Sequence, residues 1–91
     1  MLEQSLLDDI RAELISELQR SIEIYGPSWI NKKECEELIQ GLKDKQPVRI
    51  GYLLYGDILD GVLSEHNLRR APHGTQSSTY EAIWDAIEQG Q

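Results

Sequence analysis

Apolar residues recur every three or four positions along the first quarter of the chain. They are Leu7, Ile10, Leu14, Leu18, Ile22 and Tyr25. This spacing places them on one stripe of an α-helix. Gly26 and Pro27 follow, and they end a helix because glycine supplies a left-handed exit and proline cannot continue the backbone ladder. The pattern predicts a long amphipathic helix from Leu2 to Tyr25.

A second helix is predicted after Asn31. Asn31 and Glu34 have the spacing of a capping box, in which the asparagine side chain accepts a hydrogen bond from the first turn. The apolar positions that follow again form a stripe, made of Cys35, Leu38, Ile39 and Leu42. The residue before a proline disfavours helical geometry, so this helix ends before Pro47.

The segment from Val48 to Leu63 carries two patterns. Its first residues alternate between apolar and polar, as in a strand, but beyond Leu53 the apolar residues gather on one broad helical arc. Three glycines, Gly51, Gly56 and Gly61, disfavour a helix by about 1 kcal/mol each. Close packing against a neighbouring element would explain them. We expect a helix from Pro47 to about Asp60, with a strand as the alternative.

Two further helices are predicted towards the C-terminus. Ser64 is a candidate cap for a short helix from Glu65 to Ala71, which Pro72 and Gly74 would end. After a loop, Ser78 is a candidate cap for a last helix that Gly90 would end. The buried stripe of that helix is expected to be Tyr80, Ile83, Trp84 and Ile87. The chain is therefore expected to be one all-α domain, residues 1–91, built as a bundle of about five helices.

The net charge of the chain limits the classes of partner that it can bind. The chain has 16 acidic residues against 9 basic ones, for a net charge of −7. This excess repels phosphate and argues against general nucleic-acid binding. Cys35 is the only cysteine, there is no long apolar run, and Glu3, Asp8 and Asp9 stand where a signal peptide carries bases. We expect a cytoplasmic protein that does not enter membranes.

One segment lacks the acidic residues found in the rest of the chain, because no Asp or Glu lies between His66 and Tyr80. The residues at Leu63–Leu68, Ser77–Tyr80, Ile83, Ile87 and Gly90 resemble the second and third helices of winged helix-turn-helix DNA-binding domains. The resemblance covers about half the chain and implies contacts to DNA. Its candidate DNA or phosphate contacts are Arg69, Arg70, His73, Ser77, Ser78 and Thr79. Acids on the last helix, at Glu81, Asp85 and Glu88, would repel phosphate.

Signals of catalysis are weak. Cys35 lies on an apolar stripe, which is typical of a buried and inert thiol. His66 and His73 are separated by a proline, and no carboxylate stands beside them at metal-ligand spacing. Asp57 and Asp60 share a helix face, as solvated acids commonly do. We expect a non-enzymatic protein without a metal or cofactor.

The length of the predicted first helix and the acids beside its stripe favour a function in binding another protein. A helix from Leu2 to Tyr25 is about 36 Å long, more than a compact domain of this size covers, although it could also simply pack on the other helices. The acids Asp9, Glu13 and Glu17 flank its stripe, and Trp29 in the following turn could anchor a partner. The leading hypothesis is an acidic regulator or adaptor that binds another protein, with a homodimer as a further expectation. The alternative is a helix-turn-helix DNA-binding regulator.

Overall fold

The computed structural model describes residues 3–25, 31–51, 54–68 and 79–91. Within these ranges the chain is all-α, as predicted, and contains no strand. It forms four helices: α1, Gln4–Tyr25; α2, Lys32–Lys43; α3, Leu54–Glu65; and α4, Thr79–Glu88. No helix in this part of the chain combines the length and apolar character needed to cross a membrane.

The long helix α1 forms the spine of the fold. Its predicted stripe is buried from Leu7 to Leu18 and becomes half-buried at Ile22. Helices α2, α3 and α4 all pack against it. Its 22 residues span about 33 Å, close to the longest dimension of the molecule, 38 Å. The core therefore covers the first two-thirds of α1 and leaves its last turns more exposed.

Helix α2 begins as predicted. The Asn31 side chain accepts a hydrogen bond from the Glu34 backbone N–H at 3.1 Å, and the predicted stripe of α2 is buried. The Cys35 thiol lies 3.9 Å from the Leu18 carbonyl oxygen, and Lys45 Nζ lies 3.6 Å from the Asp8 carboxylate. Since the start of α2 lies near the end of α1 and the residues after α2 lie near the start of α1, the two helices are antiparallel.

The predicted helix from Pro47 is wrong over its first residues, because 47–51 are not helical and α3 begins at Leu54. The Val48 N–H donates to the Glu88 carbonyl oxygen at 2.8 Å, and the Ile50 N–H donates to Glu88 Oε2 at 2.9 Å. Gly51 then adopts a positive φ of 74°, which a helix does not allow. The alternating pattern of this segment thus reflects a connection held against α4.

The contact between Glu88 and Ile50 predicts a measurable stability change. Replacing Glu88 with alanine removes the acceptor and leaves the buried Ile50 N–H unpaired. We expect the free energy of unfolding to fall by about 1–3 kcal/mol. Glu88→Gln keeps a side-chain acceptor and should lose less than half of that. Urea unfolding measures both changes, and equal losses in the two variants would contradict the assigned hydrogen bond.

The predicted helix capped by Ser64 is also wrong, because Ser64 and Glu65 form the last turn of α3. The Asn67 N–H donates to the Ser64 carbonyl and the Leu68 N–H donates to the Leu63 carbonyl. With Asn67 at a φ of 61°, this pattern is a Schellman motif, which ends a helix. Residues 69–71 of that predicted helix lie outside the described part of the chain.

Helix α4 agrees with the sequence pattern. Its predicted stripe is buried, together with Ala86. Gly90 has a φ of 78° and ends α4 with a second Schellman motif, since its N–H donates to Ile87 and the Gln91 N–H donates to Ala86. The predicted cap Ser78 lies outside the described residues. Helix α4 packs on α1, and the Gln91 carbonyl that follows α4 accepts a hydrogen bond from Arg11 of α1.

Candidate protein-binding surface on the first helix

The three acids predicted to contact a partner lie in one row on α1. Asp9, Glu13 and Glu17 are four residues apart, which places them above one another on one face of a helix. Asp9 is exposed, and the side chains of Glu13 and Glu17 are about half exposed. Trp29, the fourth predicted contact, lies outside the described residues. The structure therefore brings three of the four predicted side chains together.

An apolar side chain that the sequence pattern missed extends this row. Ile24 is 58% exposed, and among the described residues it is the only large apolar side chain with such exposure. It follows Glu17 by seven residues, or two helical turns, so it lies on the same face. We name Asp9, Glu13, Glu17 and Ile24 the acidic face of α1. The sequence did contain a signal for this exposure, because Ile24 is an apolar residue that lies outside the stripe containing Ile22 and Tyr25.

Glu13 is held in place by a residue from the end of α3. Its Oε2 lies 2.6 Å from His66 Nε2, and both side chains are partly exposed. The sequence pattern gave His66 no such role, because 53 residues separate it from Glu13. By comparison, Glu17 and Arg20 are 4.0 Å apart and exposed, so that pair contributes little. The contact with His66 therefore holds the Glu13 side chain in place, whereas the weak pair with Arg20 lets the Glu17 side chain change its position.

Arg11 is turned away from the outer surface of α1. It is 5% exposed, and its guanidinium donates to the Gln91 carbonyl and to the Asp8 carboxylate. The hydrogen bond from Gln4, followed by the charges of Lys45 and Arg11, lowers the pKa of Asp8. Arg11 is therefore not an exposed base on α1, whereas Arg20 is exposed and lies between Glu17 and Ile24 on the same face.

The residues predicted to contact DNA are largely outside the described ranges. Arg69, Arg70, His73, Ser77 and Ser78 fall there, and Thr79 is exposed at the start of α4. Glu88, in the acidic row expected on α4, is partly exposed, and its carboxylate also accepts the Ile50 N–H. Asp85 is exposed and Glu81 is partly exposed. DNA binding stays a prediction.

Cys35 lies in the core, as its position on an apolar stripe predicted. Burial, and then the nearby charges of Glu36 and Glu34, raise the pKa of its thiol. The uncharged thiol is a weak nucleophile. Of the paired acids on α3, Asp60 accepts a hydrogen bond from the Tyr80 hydroxyl at 2.8 Å. Over the described ranges, no three His, Cys, Asp or Glu side chains are grouped to hold a metal ion.

A groove lies between α1 and α2, on a different side of α1 from the acidic face. It has a volume of about 430 Å³ and is lined by Gln19, Ile22, Glu23, Glu36, Ile39, Gln40 and Lys43. Gln19 and Glu17 are two residues apart, so they point in directions about 160° apart around α1. The groove comes near the acidic face at the C-terminal end of α1, where the groove-lining Glu23 directly precedes Ile24.

Comparison with known proteins adds no functional site. No protein-family model matches the chain, no curated protein matches it, and no solved structure matches it. Its function is therefore inferred from the geometry and charge of its own residues.

Proposed function

We propose that this protein is a small, non-enzymatic acidic adaptor or regulator that binds another protein through the acidic face of α1. The observation that carries the proposal is the exposed Ile24 in line with Asp9, Glu13 and Glu17. A single exposed apolar side chain is common on protein surfaces, so Ile24 supports the proposal through its position in line with the three carboxylates. Beside a row of carboxylates, it forms a surface with both an apolar and a charged part.

The chemistry of this face defines its partner. Carboxylates arranged in a row attract a basic surface, increase the rate of association and fix its orientation. Desolvation of Ile24 then supplies affinity that does not depend on salt. The contact with His66 restrains Glu13 before binding, so less side-chain entropy is lost in the complex. The expected partner is a protein with a basic surface and an apolar pocket next to it.

Photo-crosslinking from the acidic face identifies the partner. Arg20 is exposed and lies three residues after Glu17 and four before Ile24 on the same face of α1, so a photoreactive amino acid there reports on this surface. The affinity of the captured partner, once purified, is then measured by calorimetry. Changing Asp9→Asn, Glu13→Gln, Glu17→Gln and Ile24→Ser together is expected to raise Kd by about tenfold or more.

A matched variant separates this surface from total charge. Glu3→Gln, Glu37→Gln and Asp85→Asn also remove three exposed acids, but none of them belongs to the acidic face. This variant should bind the partner with nearly unchanged affinity. Equal losses in both variants would show a general charge effect and contradict the proposed surface. Salt-sensitive binding of duplex DNA that survives changes to the acidic face would favour the alternative function instead.

A further inference from the structure

The groove between α1 and α2 has a carboxylate on each wall and an apolar floor. Glu23 lines it from α1 and Glu36 from α2, while Ile22 and Ile39 form the floor. Ile39 is buried and Ile22 is half-buried, so Ile22 is the part of the floor that a ligand can cover. Within the described ranges nothing pairs with the Glu23 carboxylate. Glu36 has a single exposed pair with Lys32 at 3.9 Å, which contributes little. Both carboxylates are therefore available to a ligand.

The other polar groups give the groove an acidic and a basic end. The Gln40 amide nitrogen donates to both carboxylate oxygens of Asp44 at 3.1 Å, which leaves its carbonyl oxygen to accept. Lys43 is the one base among the described lining residues, and it lies seven residues, or about 10 Å, from Glu36 along α2. Since α1 and α2 are antiparallel, Glu23 near the end of α1 lies towards the same end of the groove as Glu36. Acceptors thus predominate at that end.

An arginine side chain has the chemistry that this arrangement requires. Its guanidinium carries five N–H donors and no acceptor, and it pairs with carboxylates in a bidentate fork. Its aliphatic stem packs on apolar surface. The groove has a volume of about 430 Å³, which is ample for one such side chain. We propose that the groove is a subsite for an arginine side chain, with the guanidinium between Glu23 and Glu36 and the stem over Ile22.

The arginine subsite rests on the proposed function, because the arginine is assigned to the same basic partner. Glu23 directly precedes Ile24 in the sequence, so the groove and the acidic face meet at the C-terminal end of α1. A partner with an arginine in the groove would contact both surfaces. Bidentate pairing adds geometric specificity to the energy of the contact, so the groove would fix where the partner lies along α1.

A titration of the isotope-labelled full chain with Nα-acetyl-arginine amide, followed by NMR, tests the subsite without the partner. We expect saturable shift changes at Ile22, Glu23 and Gln40, with a Kd in the millimolar range because one side chain binds at an open site. Glu23→Gln and Glu36→Gln should each raise Kd by about threefold or more. Lys43→Gln should lower Kd by about twofold, because it removes a repelling charge.

Two matched variants and a second probe are the controls. Glu37→Gln and Lys33→Gln make the same charge changes at exposed positions of α2 that do not line the groove, and they should leave Kd unchanged. Nα-acetyl-lysine amide should bind several-fold more weakly, because an ammonium cannot pair as a fork. The arginine subsite is overturned by any one of three results: no saturable shifts at tens of millimolar probe, equal losses in Glu36→Gln and Glu37→Gln, or equal binding of the two amides.

The two proposals fail in different experiments. The amide titration uses no partner and none of the acidic-face variants, so its failure would leave binding through the acidic face to be measured by calorimetry with the captured partner. Unchanged affinity of that partner for the acidic-face variant would instead remove the proposed function, whatever the amide titration shows.

Discussion

Replacing Leu14 with alanine should lower the free energy of unfolding by about 2–5 kcal/mol. Leu14 is 0% exposed and lies at the centre of the buried stripe of α1. Helices α2, α3 and α4 all pack on α1, so a cavity there removes contacts on which the whole fold depends. The loss is a large part of the stability expected for a domain of this size. Thermal and urea unfolding measure it.

Ile15→Ala is the control for Leu14→Ala. Ile15 is on the same helix but only partly buried, and alanine has the higher helix propensity. We expect a loss of about 1 kcal/mol or less at this position. Similar losses at the two positions would mean that the core is not centred on the predicted stripe.

The sequence predicted the three helices whose apolar residues follow a clear period. The stripes of α1, α2 and α4 are buried as the spacing of Leu14, Leu38 and Ile83 required. These predictions succeed because helix periodicity is a local property, and because one face of each helix must be buried. The helix ends at Tyr25 and Gly90 were also visible as local signals.

The errors arise where distant residues decide the local structure. The extended backbone near Val48 and Ile50 is held by Glu88, and no local pattern shows that contact. Asn67 ends α3 in a left-handed conformation, whereas the sequence pattern placed a helix start at Ser64. Asparagine is the common alternative to glycine at this position. That signal was present, but the capping pattern at Ser64 competed with it.

Only part of the candidate site could be predicted from the sequence, because helical periodicity is local and long-range contacts are not. The row of Asp9, Glu13 and Glu17 follows from the helical period. The contact between Glu13 and His66 does not, because it depends on how α3 packs on α1. The exposure of Ile24 depends on where the core stops covering α1, which is a property of the whole fold.

Alanine at Gly56 and at Gly61 should change stability in opposite directions, although both glycines lie inside α3. A Cβ atom at Gly56 would lie 2.3 Å from the Gly51 carbonyl oxygen and 3.2 Å from the Trp84 ring, whereas one at Gly61 would meet nothing within 4 Å. The close approach that the sequence suggested for the glycines therefore holds at Gly56 and does not hold at Gly61.

Gly56→Ala should lower the free energy of unfolding by about 1–3 kcal/mol, because the backbone at Gly51 must move to admit the methyl group. Gly61→Ala should raise the free energy of unfolding by about 0.5–1 kcal/mol, since alanine restricts the unfolded chain and favours the helix. Urea unfolding of the two variants measures the difference. Stabilisation by both would show that the connection from 47 to 51 does not pack on α3 at Gly56. Destabilisation by both would show that Gly61 faces a neighbour in solution.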